Sequence, residues 1–180
     1  MTIVPDTKDW TWVLQRRCPE CGFETESFGL AELPGMIRAN AAAWQEVLGS
    51  GSPDVAARPV PGRWSPLEYG CHVRDVFRLY DYRLSLMLSQ DDPLYPNWDQ
   101  DDTAVADRYG EQDPAAVSAG LAEAAEAIAA SFAAVHAGQW SRTGRRGDGA
   151  QFTIETFARY FIHDPVHHLY DVTGVQHAAS

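Results

Sequence analysis

Residues 157–172 read FARYFIHDPVHHLYDV, and this stretch decides the fold. Its apolar residues recur with helical spacing, so it predicts an amphipathic helix. His163 and His167 stand four residues apart and therefore project from one side of that helix. Cβ atoms at this spacing lie roughly 6 Å apart. Two imidazoles so placed can converge on one ion at about 2.0–2.1 Å. The helix is predicted to begin near Thr153 and to end before Gly174, a glycine suited to the position after a helix. Pro165 lies between the two histidines, removes one backbone donor and crowds the carbonyl of Phe161. It predicts a kink, or a new first turn capped by Asp164.

Three more helices are read outward from this one. Asp113-Pro114 starts a helix whose Val117, Leu121, Ala124, Ile128, Phe132 and Val135 form a buried seam. Before it, Ser65-Pro66 followed by Glu68 writes an S-x-x-E capping box, with Trp64 and Tyr69 placed for a hydrophobic staple. That helix runs to about Ser89 and carries Val73, Val76, Phe77, Tyr80, Leu84 and Met87. The first helix, from about Leu30 to Leu48, steps along Leu33, Ile37, Trp44 and Val47. Residues 49–64 and 90–102 are rich in turn formers, and a further loop spans 137–149. Nothing predicts a strand pair. The expected fold is all-α: a four-helix bundle over residues 30–176 with a long crossover between its second and third helices, preceded by an extension, residues 1–29.

The composition bounds function. The 180 residues suit one domain, and 45% hydrophobic content supports a core. With 25 acidic against 14 basic residues the net charge is −11, which argues against nucleic acid and anionic membranes as partners. Lys8 is the one lysine. The longest low-charge run, around Ala124 to Ala137, carries Glu126 and His136, so no membrane span is predicted. The stretch MTIVPDTKDW is too polar for a signal peptide. Three cysteines make no secreted disulfide framework. A cytoplasmic protein is the expectation, and a homodimer is left open.

His72 lies near the start of the second helix. If the second and fourth helices pack antiparallel, His72 comes level with His163 and His167 and completes a three-histidine metal site with an open position. Glu68, Asp75, Asp164 and Asp171 lie within one turn of these histidines and can orient them. The competing reading is that the histidines bind nothing. H-E-x-x-H is absent, which disfavours a zinc-protease site.

Residues 18–22 read CPECG, a zinc-ribbon knuckle without a second CxxC. Three readings stay open: a second zinc at Cys18 and Cys21 with ligands borrowed from elsewhere, a redox dithiol, or a plain turn. A fourth has Cys18 or Cys21 capping the histidine metal. Cys71 reads as a small buried residue. Arg142, Arg145 and Arg146 can clamp carboxylates of a thiol cofactor or acidic substrate, or simply face solvent. Trp64, Trp98 and Trp140 can line a pocket mouth near the metal but read first as packing residues, and Asp99, Asp101 and Asp102 can bind a cation but read first as an exposed acidic loop.

The motifs W-S-P-L-E-x-x-x-H at 64–72, NWDQDD at 97–102 and Y-x-x-H-D-x-x-H-H at 160–168, in that order, resemble the DinB-like superfamily. This group includes the mycothiol-dependent maleylpyruvate isomerases and related thiol transferases. The resemblance spans roughly residues 30–175. It implies a divalent metal, zinc or nickel, held by His72, His163 and His167, with His168 pointing elsewhere. It also implies activation of a low-molecular-weight thiol such as mycothiol or bacillithiol for attack on an electrophile. In an enzyme of this kind Tyr160 or Asp75 is placed to orient substrate or water. A coordinated thiol loses its proton at neutral pH, so the chemistry is sound. The alternative function is a non-catalytic, stress- or redox-responsive metal protein that uses CPECG and the histidines.

Overall fold

The computed structural model describes residues 9–177. Lys8 and most of the polar stretch before it lie outside the described residues. Five helices form the frame: α1 (Leu33–Leu48), α2 (Pro66–Ser89), α3 (Gln100–Ala106), α4 (Pro114–Ala133) and α5 (Ile154–Thr173). The four long ones make the bundle, and α3 is a short helix inside the crossover.

The local signals act where the sequence puts them. Ser65 Oγ accepts from the Glu68 amide at 3.2 Å, and Glu68 Oε2 accepts from the Ser65 amide at 2.8 Å. Two donors that α2 would otherwise orphan are thereby satisfied. The Trp64 and Tyr69 rings meet at 5.4 Å. Asp113 caps α4 through the Ala116 amide at 2.8 Å, and Thr153 caps α5 through the Thr156 amide at 3.1 Å. Gly174 ends α5 with φ of 70°, a conformation that costs a side-chain-bearing residue about 1 kcal/mol or more.

The core joins all four long helices. Trp44, Phe77, Leu84, Leu121, Ile128, Phe132, Phe157 and Phe161 are buried in it. Ring contacts fix the direction of α5 against α2: Tyr80 meets Phe157 at 4.8 Å, Phe77 meets Phe161 at 5.9 Å, and His72 meets His168 at 4.8 Å. Numbers rise on one helix as they fall on the other, so the pair is antiparallel. α4 is long and apolar enough, by length and composition, to cross a membrane. In this fold it lies against α1 and α2 and buries Val117, Leu121, Ile128 and Phe132.

Two expectations are corrected. A small sheet exists: β1 (Leu94–Tyr95) pairs parallel with β2 (Thr143–Arg146), which pairs antiparallel with β3 (Gln151–Thr153). Strands of two to four residues carry no alternation that a sequence pattern can detect. A Cβ on Gly144 would stand 2.8 Å from the Met87 side chain, so β2 packs close against α2. Pro165 also opens no new first turn, because α5 is one helix from Ile154 to Thr173. Asn40 Nδ2 donates to the Pro165 carbonyl at 3.0 Å and ties this part of α5 to α1.

Candidate metal centres

α5 presents two sets of potential ligands, one residue out of phase. His163 and His167 face the N-terminal segment, where Cys18 and Cys21 meet them. Asp164 and His168 face α2, where His72 meets them. Successive helical residues point about 100° apart, so one helix serves two neighbours with interleaved pairs.

In the first set, Cys18 Sγ lies 3.6 Å from His167 Nδ1, and Cys21 Sγ lies 3.6 Å from His163 Nε2. All four side chains are buried, and the cysteines are free thiols. Burial pushes the Cys21 thiol up to about 12. Burial and the neighbouring His167 bring His163 down to about 3, so its imidazole is neutral near pH 7 and able to ligate. His167 is lowered too, by burial. Trp10 closes over the pair, 5.5 Å from the His163 ring and 4.9 Å from His167.

In the second set, Asp164 Oδ1 stands 3.4 Å from His72 Nε2 and 3.9 Å from His168 Nε2. Burial lowers the pKa of His72 and would raise that of Asp164, but His72 and His168 outweigh it and hold Asp164 below the usual carboxylate range. Asp171 Oδ2 accepts from His168 Nδ1 at 3.0 Å. Burial opposes the charge on Asp171, yet that hydrogen bond keeps it ionised. An ionised carboxylate only accepts, so His168 Nδ1 donates to Asp171 and Nε2 is the ring atom that faces Asp164. Trp98 stacks on His72 at 5.3 Å, and Trp64 packs at 5.2 Å.

Both ring nitrogens of His72 and Oδ1 of Asp164 are buried, and although Nε2 and Oδ1 face each other at 3.4 Å, none of the three makes a well-formed hydrogen bond. Leaving three such atoms unsatisfied in one place costs free energy. A divalent cation among two imidazoles and a carboxylate would engage His72 Nε2 and Asp164 Oδ1 and remove most of that cost, so the residues present fit a divalent metal of the kind the resemblance implies.

The structure thus separates His72 from His163 and His167, which the sequence reading had placed on one ion. Asp164 and His168, read as an orienting carboxylate and an outward residue, take the places beside His72. The signal for them was present, since D-x3-H has the same helical spacing as H-x3-H.

His163, Asp164, His167 and His168 all line one pocket of about 640 Å³ between the helices, with His72 buried behind Asp164 and His168. Tyr160 lines it as well and accepts from Arg146 at 3.2 Å. Asp75 does not: it accepts from Tyr109 Oη at 2.6 Å and from Arg74 at 2.9 Å. Glu68 turns to Arg58 at 2.8 Å rather than to His72. Arg142 and Arg145 are also outside the lining. Arg142 donates to the Met87 and Gln90 carbonyls, and Arg145 pairs with Asp92 at 2.8 Å. Their neighbour Arg146 reaches the pocket and pairs with Asp148 at 2.8 Å. Trp64 and Trp98 line the pocket, whereas Trp140 stacks on Phe132.

Sequence reading missed Arg83. It lines the pocket and is only 4% exposed. Its guanidinium lies 4.9 Å from the Tyr95 ring, and Nη2 donates to the Pro96 carbonyl at 2.8 Å. Its Nε has no partner, and among the described residues no carboxylate pairs with it.

The sequence profile of the DinB superfamily matches residues 36–172. No curated protein matches the chain. Among solved structures, YfiT from Bacillus subtilis is described as "a probable metal-dependent hydrolase with an unusual four-helix bundle topology". It aligns with a TM-score of 0.76 at 18% identity, covering 83% of this chain and 88% of that one. At this identity the likeness is one of fold.

Proposed function

The chain belongs to the DinB superfamily, and from that premise we propose that it is a metal-dependent enzyme working from His72, Asp164 and His168. The observation that carries this reading is the group of unsatisfied buried atoms on His72 and Asp164 beside a pocket. Three protein ligands leave a divalent metal an open position, as in catalytic rather than structural sites. When bound, such a cation lowers the pKa of a thiol or a water so that it is a nucleophile near neutral pH.

The chain's own residues then have distinct tasks. Asp171 holds the proton of His168 on Nδ1 and keeps Nε2 available. Trp64 and Trp98 cover His72 and keep bulk water from it. Arg83 sits eleven residues beyond His72 on α2, about 16 Å along the helix axis. A buried cation without a carboxylate partner is matched by an anion from outside. The substrate or co-substrate is therefore elongated and carries a carboxylate or comparable anion away from its reacting atom. Tyr160, paired with Arg146, lies between these ends as a group that orients the bound molecule.

The nucleophile we favour is a small thiol of the mycothiol type, in transfer to an electrophile or isomerisation of a double bond. A second reading is hydrolysis, favoured by the description of YfiT. The test loads the protein with zinc and follows product formation from an electrophile with and without each of several low-molecular-weight thiols. Thiol-dependent turnover that vanishes in His168→Ala supports transfer. Equal turnover without thiol, on carboxylate-bearing esters or amides, moves the assignment to hydrolysis. Metal binding without turnover in either assay returns it to the non-catalytic, stress- or redox-responsive alternative.

A further inference from the structure

We propose that Cys18, Cys21, His163 and His167 bind a zinc ion of their own, as a closed structural centre that clasps the N-terminal segment to α5. This ion is distinct from the one proposed at His72, Asp164 and His168, and the inference does not depend on the reaction proposed there.

The donor set and its dimensions carry the inference. Two thiolates and two imidazoles are a structural zinc set, with Zn–S of about 2.3 Å and Zn–N of about 2.0–2.1 Å. Tetrahedral angles at those lengths put sulfur and nitrogen roughly 3.5 Å apart. Each cysteine meets one histidine at 3.6 Å. The four donor atoms all lie within 4.8 Å of one another. The four side chains are between 0% and 6% exposed, so four protein ligands close the site.

The backbone is shaped for this. The Gly22 amide donates to the Cys18 carbonyl at 3.0 Å, and the Cys18 amide donates to the Phe23 carbonyl at 2.8 Å. Gly22 has φ of +76°, which a residue with a Cβ adopts only under strain. This turn brings both thiols to one side. The other end of the chain closes over it: the His177 amide donates to the Cys21 carbonyl at 2.8 Å, and Gln176 donates to the Glu20 carbonyl at 2.8 Å.

Without a cation, the same atoms make two thiol–imidazole hydrogen bonds. Binding forms two Zn–S and two Zn–N bonds, and the two S–H protons go to solvent.

The clasp shapes the pocket as well. Trp10 and Glu20, from the clasped segment, line it. Asp164 and His168 each follow a zinc ligand in sequence, so fixing His163 and His167 fixes the rotation at which α5 presents them. Asp171 touches both sides, 3.0 Å from His168 Nδ1 and 3.9 Å from His167 Nε2.

The test is metal content per chain by mass spectrometry, together with the spectrum of cobalt(II)-substituted protein, for wild type, Cys21→Ser and His72→Ala. The expected result is two ions in wild type and one in each variant. A thiolate-to-cobalt charge-transfer band should persist in His72→Ala and weaken sharply in Cys21→Ser. If Cys21→Ser fails to fold, cobalt titration of wild type and His72→Ala still decides, because the band must appear in both. A wild type without that band, holding one ion that His72→Ala loses, overturns the clasp and leaves the pocket enzyme standing. One ion lost only with Cys21 supports the clasp and removes the pocket metal.

Discussion

The two ligand clusters on α5 differ in what encloses them, and that difference is the ground for proposing a structural role for one and a chemical role for the other. His163 and His167 border the pocket too, but they meet two buried thiols and an indole, and a cation held by all four donors would keep no position for a substrate. Asp164 and His168, the very next residues, meet one imidazole and an open pocket. Residue types and spacing are nearly the same in both. The surroundings supplied by other segments, residues 10–28 on one side and α2 on the other, assign the roles.

The largest expected effect breaks the comparison on its closed side. Cys18→Ser or Cys21→Ser should lower unfolding free energy by more than about 4 kcal/mol, because the metal's binding energy is also folding energy. Urea denaturation of the zinc-loaded protein measures it, and a loss under 1 kcal/mol would place the fold's support elsewhere. On the open side the pattern reverses. His168→Ala should cut kcat/KM by about a thousandfold, roughly 4 kcal/mol of transition-state stabilisation. Its effect on stability should stay within about 1 kcal/mol. An equal loss of stability in both variants would erase the distinction between the clusters.

A smaller effect sharpens the substrate reading. Arg83→Met should raise KM for an anionic substrate about tenfold, near 1.4 kcal/mol, with kcat changing far less. Unfolding free energy should hold or rise, because a buried cation lacking a carboxylate partner is removed.

The smallest effect is a control away from both clusters. The Glu68 carboxyl is buried, which alone would raise its pKa, but the Arg58 guanidinium and the Ser65 amide hold it below the ordinary glutamate value of 4.5. A depressed folded-state pKa means stability present above the unfolded-state value and lost as pH falls through the folded one. The urea midpoint should therefore decline below about pH 4.5, by about 1–2 kcal/mol in all. Glu68→Gln should flatten that decline and leave the metal content unchanged.

The comparison also explains what the sequence could tell. The helices were legible because their signals are local: the box at Ser65 and Glu68, the caps at Asp113 and Thr153, the seam from Val117 to Phe132. The family resemblance pointed to α2 and the end of α5 as the site. The division of labour on α5 was not legible, since H-x3-H and D-x3-H overlap and nothing local says which pair faces which neighbour. The partners of Cys18 and Cys21 lie 149 and 142 residues away, so the knuckle looked incomplete. Arg83 carries no mark of burial, because an arginine on a helix usually faces solvent. Arg146 differs from Arg145 only by the alternation of β2, a strand too short to be read.

The most direct test of the split is a crystal structure of zinc-loaded protein with anomalous scattering recorded at the zinc edge. The account predicts two peaks, one among Cys18, Cys21, His163 and His167 and one among His72, Asp164 and His168. A single peak shared by His72, His163 and His167 would contradict it.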